Sequence, residues 1–567
     1  MLFCYEIMAK IDLRTTLKPN WFESRSTALL LSVVLLLALM LRVTNLGGPS
    51  FGIDEMLHVY AANELMHGDD PNLPSGYPYQ RALLYTYSVA LSGKLLGMNE
   101  SVARMTSVLF GVLTVALVFF IGRQWQSNAA GLVAALLTAV VPMQVAFSRQ
   151  VRMYTVFQFF YLVFIYLFFQ AIEGSFQSRK KAAVGKSALK EWAARLQLLP
   201  WGLAAIAFAL AFHFQQLILP AAAGPILYVL CMALVALLDK RTDRLARSRY
   251  VFWTLVIGAG MALALIYMYV SGGLAKYVSL MQYAPTWAQS GVQEWQHYIG
   301  VLRRYIPFIS VAAVILGGLA WLRNPKPAFY LIACFAAPFL IHSFFIAWKN
   351  QRYVFHLFPL LFLLSGMGLA SLIPQLRARL SRLLARCSRP VMARALVGGA
   401  GGAALLVIVY GAPELRESFQ TPHVNAGQFA GVQHNNWRTA MGYIAEKARQ
   451  DDVIMTSVPL LAKYYGPPRP LYSLNNNELD DHFAKARYDW KTTRTEYTAA
   501  AVIIVDLKDL RELIGKYSSG WFVIERNRFR NQRSVPADVS AFIEQNFQIH
   551  DVSGAEDMLI FRWDRWT

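Results

Sequence analysis

The strongest constraint on the fold is a series of apolar stretches, each long enough to cross a lipid bilayer. A helix needs about 20 apolar residues to span the hydrocarbon core. Charged residues make up only 16% of the chain, against about 25% in soluble domains. The sequence therefore predicts an all-α membrane protein with about eleven spans. We place them at residues 27–46, 101–122, 128–147, 154–172, 199–217, 218–238, 250–272, 305–322, 328–348, 354–373 and 395–413.

Loop charge predicts which ends of the spans face the cytoplasm. The apolar run at 82–97 is short and contains Lys94, so we interpret it as an interfacial helix rather than a span. The loops on one side then carry 24 Lys and Arg residues, and those on the other side carry nine. Because Lys and Arg accumulate on the cytoplasmic side, residues 1–26 are predicted to be cytoplasmic and residues 47–100 to form the first external loop. Short loops and an uncleaved first span suit a bacterial inner membrane.

Residues 414–567 have a different pattern, which predicts a soluble α/β domain after a membrane domain at 27–413. Short β-rich runs alternate with helical patterns. The runs are at 453–457, 501–506, 521–525 and 558–563, and the helical patterns are at 437–449, 507–516 and 536–547. By the loop charges this domain is external, in the periplasm of a bacterium. It holds 19 Lys and Arg against 20 Asp and Glu, so the net charge of +20 comes from the membrane part. We therefore predict no nucleic-acid partner.

Acidic residues are scarce on the predicted external side of the membrane part. Two of them, Asp54 and Glu55, follow the first span directly and open a helical pattern. Acids are favourable at a helix N-terminus because of the helix dipole. A structural role and a functional role are therefore both open at this position.

Several cationic groups lie in the predicted external loops near that acidic pair. They are Arg81, Arg149, Arg152, Lys276 and Arg352, and two of the arginines have a tyrosine close by, at Tyr154 and Tyr353. Guanidinium groups bind phosphate through a fixed fork of donors. The arrangement suits a lipid-phosphate substrate whose headgroup lies at the membrane surface. Contact with anionic membrane lipids explains the same cations, so that alternative stays open.

Histidines and cysteines give no metal motif. His58 and His213 lie in or beside predicted external loops, where ordinary polar interfacial residues are also expected. The four cysteines, Cys4, Cys231, Cys334 and Cys387, have no spacing typical of a metal site. We predict that no metal ion or other cofactor is required.

The sequence resembles the GT-C superfamily of polytopic glycosyltransferases, specifically the glycosyltransferase 39-like group of protein O-mannosyltransferases and aminoarabinose transferases. The resemblance extends over about residues 30–373. The matching segments are GIDE at 52–55, RALLY at 81–85, KLLGMNESVAR at 94–104, GR at 122–123, SR at 148–149, RMY at 152–154, RY at 352–353 and PLL at 359–361.

The resemblance implies an enzyme that moves a sugar from a polyprenyl-phosphate donor to a hydroxyl or phosphate of a glycan, lipid or protein acceptor. It places the catalytic acid on Asp54, with Glu55 beside it. It implies donor-phosphate contacts at Arg81, Arg352 and Tyr353, and we add Arg149, Arg152 and Tyr154 as candidates. His58, Tyr85, His213 and Lys276 are possible substrate contacts. Some relatives have a further acid where this chain has 149–152, and its absence favours a metal-free mechanism. A single base with direct displacement predicts inversion at the anomeric carbon.

Two other classes of protein fit parts of the sequence. A transporter or flippase of lipid-linked sugars would typically contain inverted repeats and helices interrupted near the bilayer midplane, and no such repeat is seen. A sensor with an external α/β binding domain would not need an acid and arginines on the membrane part. The glycosyltransferase hypothesis agrees with the lack of a visible repeat and accounts for the acid and the arginines on the membrane part.

Overall fold

A computed structural model describes residues 25–174, 198–239, 244–282, 295–384, 435–474, 494–531 and 534–564. Within these ranges a helical membrane part precedes an α/β domain, so the predicted fold class is confirmed. The helices of the membrane part are α1 (Arg25–Val43), α2 (Ile53–His67), α3 (Leu83–Leu96), α4 (Glu100–Trp125), α5 (Asn128–Val140), α6 (Pro142–Ser148), α7 (Tyr154–Gly174), α8 (Leu198–Phe214), α9 (Ile218–Ala221), α10 (Ala223–Leu238), α11 (Arg244–Val270), α12 (Gly273–Gln282), α13 (His297–Tyr305), α14 (Pro307–Arg323), α15 (Pro325–Phe344) and α16 (Phe358–Leu384).

Ten of the eleven predicted spans fall on apolar helices of the described residues. Seven of these helices are long and apolar enough to cross a membrane, and the number rises to nine if each of two bent pairs counts as one span. The helix at 199–214 is apolar but shorter. The predicted span at 395–413 lies outside the described residues, so the total of eleven stays a prediction.

Proline explains where the two bent pairs break. Helices α5 and α6 meet at 63°, and α13 and α14 meet at 100°. Pro142 and Pro307 are the first residues of the second helix in each pair. Proline lacks the N–H that a continuing helix needs, but it is well suited to the first turn of a new one.

Helix α3 has the features of the predicted interfacial helix. It contains 14 residues, too few to cross the hydrocarbon core. Its outer face is apolar, with Leu84, Leu91 and Leu95 each between 45% and 71% exposed. An exposed apolar face on a short helix suits a position along the membrane surface.

The two ends of the bundle are held by different contacts. Helix α4 extends over about 39 Å at 1.5 Å per residue. It begins at Glu100 beside the C-terminal domain, and at its other end Trp125 O accepts a hydrogen bond from Asn324 Nδ2 at 3.3 Å. At the end of α7, buried Glu173 accepts from Tyr228 and Tyr250, each at 2.7 Å, and pairs with Lys326 at 2.5 Å and Arg249 at 3.4 Å. The predicted external and cytoplasmic loops therefore lie at opposite ends of the bundle.

The C-terminal domain is built around a six-stranded sheet. Its strands are β1 (Val453–Thr456), β2 (Leu471–Ser473), β3 (Val502–Ile503), β4 (Ser519–Glu525), β5 (Gln548–His550) and β6 (Met558–Asp564). Its helices are α17 (Trp437–Lys447), α18 (Pro459–Tyr465), α19 (Leu507–Lys516), α20 (Arg526–Phe529) and α21 (Ala537–Asn546). The strand order is β3-β2-β1-β4-β6-β5, parallel from β3 to β4 and antiparallel from β4 to β5.

The two faces of the sheet bury different partners because side chains alternate along a strand. Trp521 and Val523 of β4 belong to the hydrophobic core that continues through α17 and α18 into the membrane part. Phe522 and Ile524 face the other way, into a core completed by α19 and α21. The domain therefore packs directly against the membrane part.

We expect a membrane-impermeant thiol reagent to distinguish the two ends of the bundle. In a background without the native cysteines, an Asp69→Cys variant should react in intact spheroplasts, because Asp69 lies in the predicted external loop. An Arg323→Cys variant should react only after permeabilisation. Both residues are exposed, so the control for accessibility is labelling in detergent. The reverse pattern would contradict the orientation predicted from loop charge.

Candidate active site

Asp54 lies in the first turn of α2, at the bundle end that faces the C-terminal domain. The helix begins at Ile53, and the backbone N–H of Gly52 donates to Glu55 Oε2 at 2.8 Å. This contact satisfies one of the N–H groups that a helix start leaves unpaired. The positive end of the helix dipole also favours a carboxylate here.

Glu55 is buried and has a structural role. It is 1% exposed, and Arg104 of α4 donates to both of its carboxylate oxygens at 2.9 Å. The backbone N–H of Val151 donates to Oε1 at 2.8 Å. A carboxylate enclosed in this way cannot reach a substrate. We therefore correct the candidate catalytic pair: Glu55 orients the segment that carries Asp54, and Asp54 is the exposed member.

Two arginines from distant loops contact the Asp54 carboxylate. Asp54 Oδ2 is 3.4 Å from Arg152 Nη2 and 3.2 Å from Arg352 Nη1. Arg152 also donates to the Asp54 carbonyl at 3.0 Å. The Asp54 side chain remains 31% exposed, whereas that of Arg152 is 1% exposed. The structure thus brings together Asp54, Arg152 and Arg352 from the predicted set.

The charges around Asp54 set its protonation state. Burial alone would raise its pKa, but Arg152, Arg352 and Arg81 outweigh burial and lower the pKa to about 2. Asp54 is therefore an ionised carboxylate at neutral pH. Burial also opposes the charged form of Arg152, but the Asp54 carboxylate raises the pKa of that guanidinium above its usual value.

Aromatic residues pack around the two arginines. Tyr154 accepts a hydrogen bond from Arg152 Nη2 at 3.3 Å. The guanidinium of Arg352 lies 4.9 Å from the ring centroid of Trp348 and 5.5 Å from that of Tyr353. Such cation–aromatic contacts hold a guanidinium in a fixed plane. The Nε of Arg352 is buried and has no hydrogen-bond partner among the described residues.

Arg149 does not join this cluster, although it lies only three residues from Arg152. Its Nη1 donates to the carbonyls of Leu41, Arg42 and Thr44, and its Nη2 donates to that of Asn45, at 2.7 to 3.2 Å. These are carbonyls at the C-terminal end of α1, where a cation is favourable. We therefore remove Arg149 from the candidate phosphate contacts and assign it to capping the first span.

His58 and Tyr85 lie beneath the Asp54 cluster. His58 is fully buried and bonds Thr86 Oγ1 at 3.0 Å through Nδ1 and the Tyr79 hydroxyl at 3.3 Å through Nε2. Burial and the nearby arginines lower its pKa well below the usual value, so the ring is neutral. The Tyr85 hydroxyl bonds Ser107 at 2.8 Å. Both side chains are buried next to the Asp54 cluster, and neither is exposed to a substrate.

The remaining candidates are spread over the same end of the chain's membrane part. Arg81 is exposed in the turn before α3, and its positive charge helps to lower the pKa of Asp54. His213 accepts the backbone N–H of Leu84 at 3.2 Å, which fixes the start of α3. Lys276 is exposed on α12, and no contact places it beside Asp54. In the described part of the chain, no group of three or more His, Cys, Asp or Glu side chains can hold a metal ion, and the lack of a metal requirement stays a prediction.

Arg104 is the most important residue that the candidate set left out. It is 1% exposed and lies in an apolar span. An arginine in such a position is costly unless it is paired, and this rule is the signal that could have identified it. Tyr79 was also left out, because only the fold brings it to His58.

Comparisons with known proteins agree with this architecture. Residues 80–269 match the family model described as dolichyl-phosphate-mannose-protein mannosyltransferase. No curated protein matches the chain in sequence. The crystal structure of apo ArnT from Cupriavidus metallidurans superposes with a TM-score of 0.56 at 12% identity, over 95% of this chain and 98% of that one. ArnT bound to undecaprenyl phosphate gives 0.53 at 13% identity, over 94% and 97%.

A second protein shares the same fold. The oligosaccharyltransferase AglB from Archaeoglobus fulgidus, in complex with an inhibitory peptide and a dolichol-phosphate, gives a TM-score of 0.55 at 12% identity, over 89% of this chain and 70% of that one. At such identities the structures establish the fold, and the family match adds a sequence relation over a third of the chain. Together they show that the chain has the fold of these membrane glycosyltransferases and that residues 80–269 are similar to the mannosyltransferase family.

Proposed function

We propose that the protein transfers a sugar from a polyprenyl-phosphate donor to an acceptor hydroxyl at the external face of the membrane, with Asp54 as the base. The observation that carries this proposal is the partly exposed Asp54 carboxylate between Arg152 and Arg352. The donor class is supported by the undecaprenyl phosphate bound to ArnT and the dolichol-phosphate bound to AglB. We place the protein in a bacterial inner membrane, with its N-terminus in the cytoplasm and its C-terminal domain in the periplasm.

The reaction needs one proton acceptor and one anion site. The acceptor oxygen attacks the anomeric carbon, and its proton passes to Asp54. The bond between that carbon and the phosphate oxygen breaks, and the polyprenyl phosphate leaves with the electron pair. Attack opposite to the leaving group inverts the anomeric centre. Arginines aimed at the phosphate stabilise the charge that develops on it.

The cations suit a phosphate beside Asp54. Arg152, Arg352 and Arg81 supply three positive charges against the single charge of Asp54. The buried Nε of Arg352 is an unused donor among the described residues, and Tyr353 lies beside it. A phosphate at these arginines would raise the pKa of Asp54, because a nearby anion disfavours the ionised form. Donor binding would thus strengthen the base at the moment when it is needed.

We expect the Asp54→Asn substitution to lower kcat by about a hundredfold to ten-thousandfold, the usual cost of losing a general base. Asparagine keeps the size of the side chain but cannot take the proton. Donor affinity should persist, because the arginines remain. The measurement is sugar transfer in nanodiscs, with donor and acceptor first identified by mass spectrometry of envelope glycans and glycolipids from cells with and without the gene.

The matched control is Asp69→Asn, an exposed acid of the same loop, which should leave transfer unchanged. Transfer by Asp54→Asn within a few-fold of the wild type would eliminate Asp54 as the base. A flippase would leave the sugar on its lipid in every variant, and this result would favour the transporter alternative.

We expect the Arg352→Gln substitution to shift the pH profile of kcat/KM. In the wild-type enzyme the pKa of Asp54 is about 2, so kcat/KM should show no acid limb while the protein stays folded. Removing one of the two contacting guanidiniums should raise that pKa, so that the variant shows an acid limb where the wild type shows none. The measurement is kcat/KM against pH for both proteins. Identical profiles would show that Asp54 does not titrate as the essential base.

A further inference from the structure

The C-terminal domain holds the linker that leads from the first span to Asp54. This linker comprises residues 47–51. Arg438 of α17 donates its backbone N–H to Ser50 Oγ at 3.1 Å and its Nη2 to the Gly47 carbonyl at 3.0 Å. The backbone N–H of Phe51 donates to the Tyr465 hydroxyl at 2.8 Å. The last of these contacts lies three residues before the proposed base.

The same domain holds the segment that leads to Arg81. The backbone N–H of Ser75 donates to the Thr498 carbonyl at 3.1 Å, and the Ser75 hydroxyl donates to the Tyr497 carbonyl. The rings of Tyr77 and Tyr497 pack edge to face at 5.8 Å. Both segments of the first external loop, 47–51 and 75–77, therefore contact the same α/β domain.

Tyr465 connects the linker to helix α4. Its hydroxyl accepts from Phe51 and donates to Glu100 Oε1 at 2.8 Å. Arg438 forms an ion pair with the same carboxylate. Glu100 is the first residue of α4, and Arg104 follows it by one turn. Tyr465 and Arg104 thus both contact the linker, Tyr465 at Phe51 and Arg104 at Pro49 and Ser50.

We propose that Tyr465 and Arg438 are positioning residues, through which the docked C-terminal domain sets the placement of Asp54 relative to Arg81. This inference rests on the transfer reaction proposed above. The domain supplies no reacting group in this role. Its contribution is to fix two loop segments whose side chains must meet one substrate. A displacement of about 1 Å in such a site can cost about a hundredfold in rate.

The test is a comparison of Tyr465→Phe with Tyr472→Phe in the full-length protein. Each change removes one hydroxyl, and the Tyr472 hydroxyl bonds Tyr517 at 3.0 Å within the domain, away from the linker. We expect Tyr465→Phe to lower kcat about tenfold, while the affinity for the polyprenyl-phosphate sugar donor stays within about twofold. The rate is divided by the number of donor-binding sites, so partial unfolding does not imitate the effect. Tyr472→Phe should match the wild type.

A double-mutant cycle supplies the second readout. Arg104 holds the linker at Pro49 and Ser50 and is itself paired with Glu55. If Tyr465 acts through this linker, then Tyr465→Phe and Glu55→Gln together should cost less in kcat than the product of their separate effects. Multiplicative effects, or an unchanged kcat in Tyr465→Phe, would overturn the positioning role. Equal losses in Tyr465→Phe and Tyr472→Phe would also overturn it. A wild-type protein without transfer activity would instead refute the proposed function itself.

Discussion

The buried ion pair between Glu55 and Arg104 is the interaction on which the rest of the site depends. Removing two charges from water costs several kcal/mol for each ion, so such a pair persists only where its remaining hydrogen bonds are made. Arg104 has five N–H donors, and its five contacts are Glu55 twice and the carbonyls of Leu46, Pro49 and Ser50. Glu55 also accepts from the backbone at Gly52 and Val151. One pair therefore joins the end of the first span, the start of α2 and the loop that carries Arg152.

As a consequence, the adjacent acids Asp54 and Glu55 have different roles. Both carboxylate oxygens of Glu55 are used in structural hydrogen bonds. Asp54 is therefore the carboxylate that a substrate can reach. Asp54 in turn lies between Arg152 and Arg352, whose like charges would repel each other at this spacing if no anion separated them. The carboxylate therefore offsets the repulsion between the two guanidiniums. In the reaction that we propose, a donor phosphate would bring an anion to the same guanidiniums, and Asp54 would then act on the acceptor.

Sequence reasoning predicted the parts of this architecture that depend on local pattern. Apolar length located the apolar helices at ten of the predicted spans within the described residues, and its short length set α3 apart from them. It did not distinguish Arg149 from Arg152, because both occur in one short loop and only the fold shows that one caps α1 while the other contacts Asp54. It treated Asp54 and Glu55 as a pair because they are adjacent, and only the fold shows that Glu55 is buried while Asp54 is partly exposed. Strands β2 and β5 were missed because neither lies in a long apolar run of the kind that predicted β3 at 501–506. The docking of the domain was not predicted because Phe51 and Tyr465 are 414 positions apart.

The long-range contacts also explain how a membrane bundle can support a site built on loops. Loops are usually the most mobile part of a protein, yet transfer requires side chains from three of them to hold fixed distances. Here helix α7 begins at Tyr154, beside the arginine cluster, and its last turn contains Glu173. The bonds of Glu173 to Tyr228, Tyr250 and Lys326 fix the opposite end of the bundle. At the site end, the first loop is bound by Arg104 from within the bundle and by the C-terminal domain from outside. The first loop is therefore held both by the bundle, through Arg104, and by the C-terminal domain, through Arg438 and Tyr465.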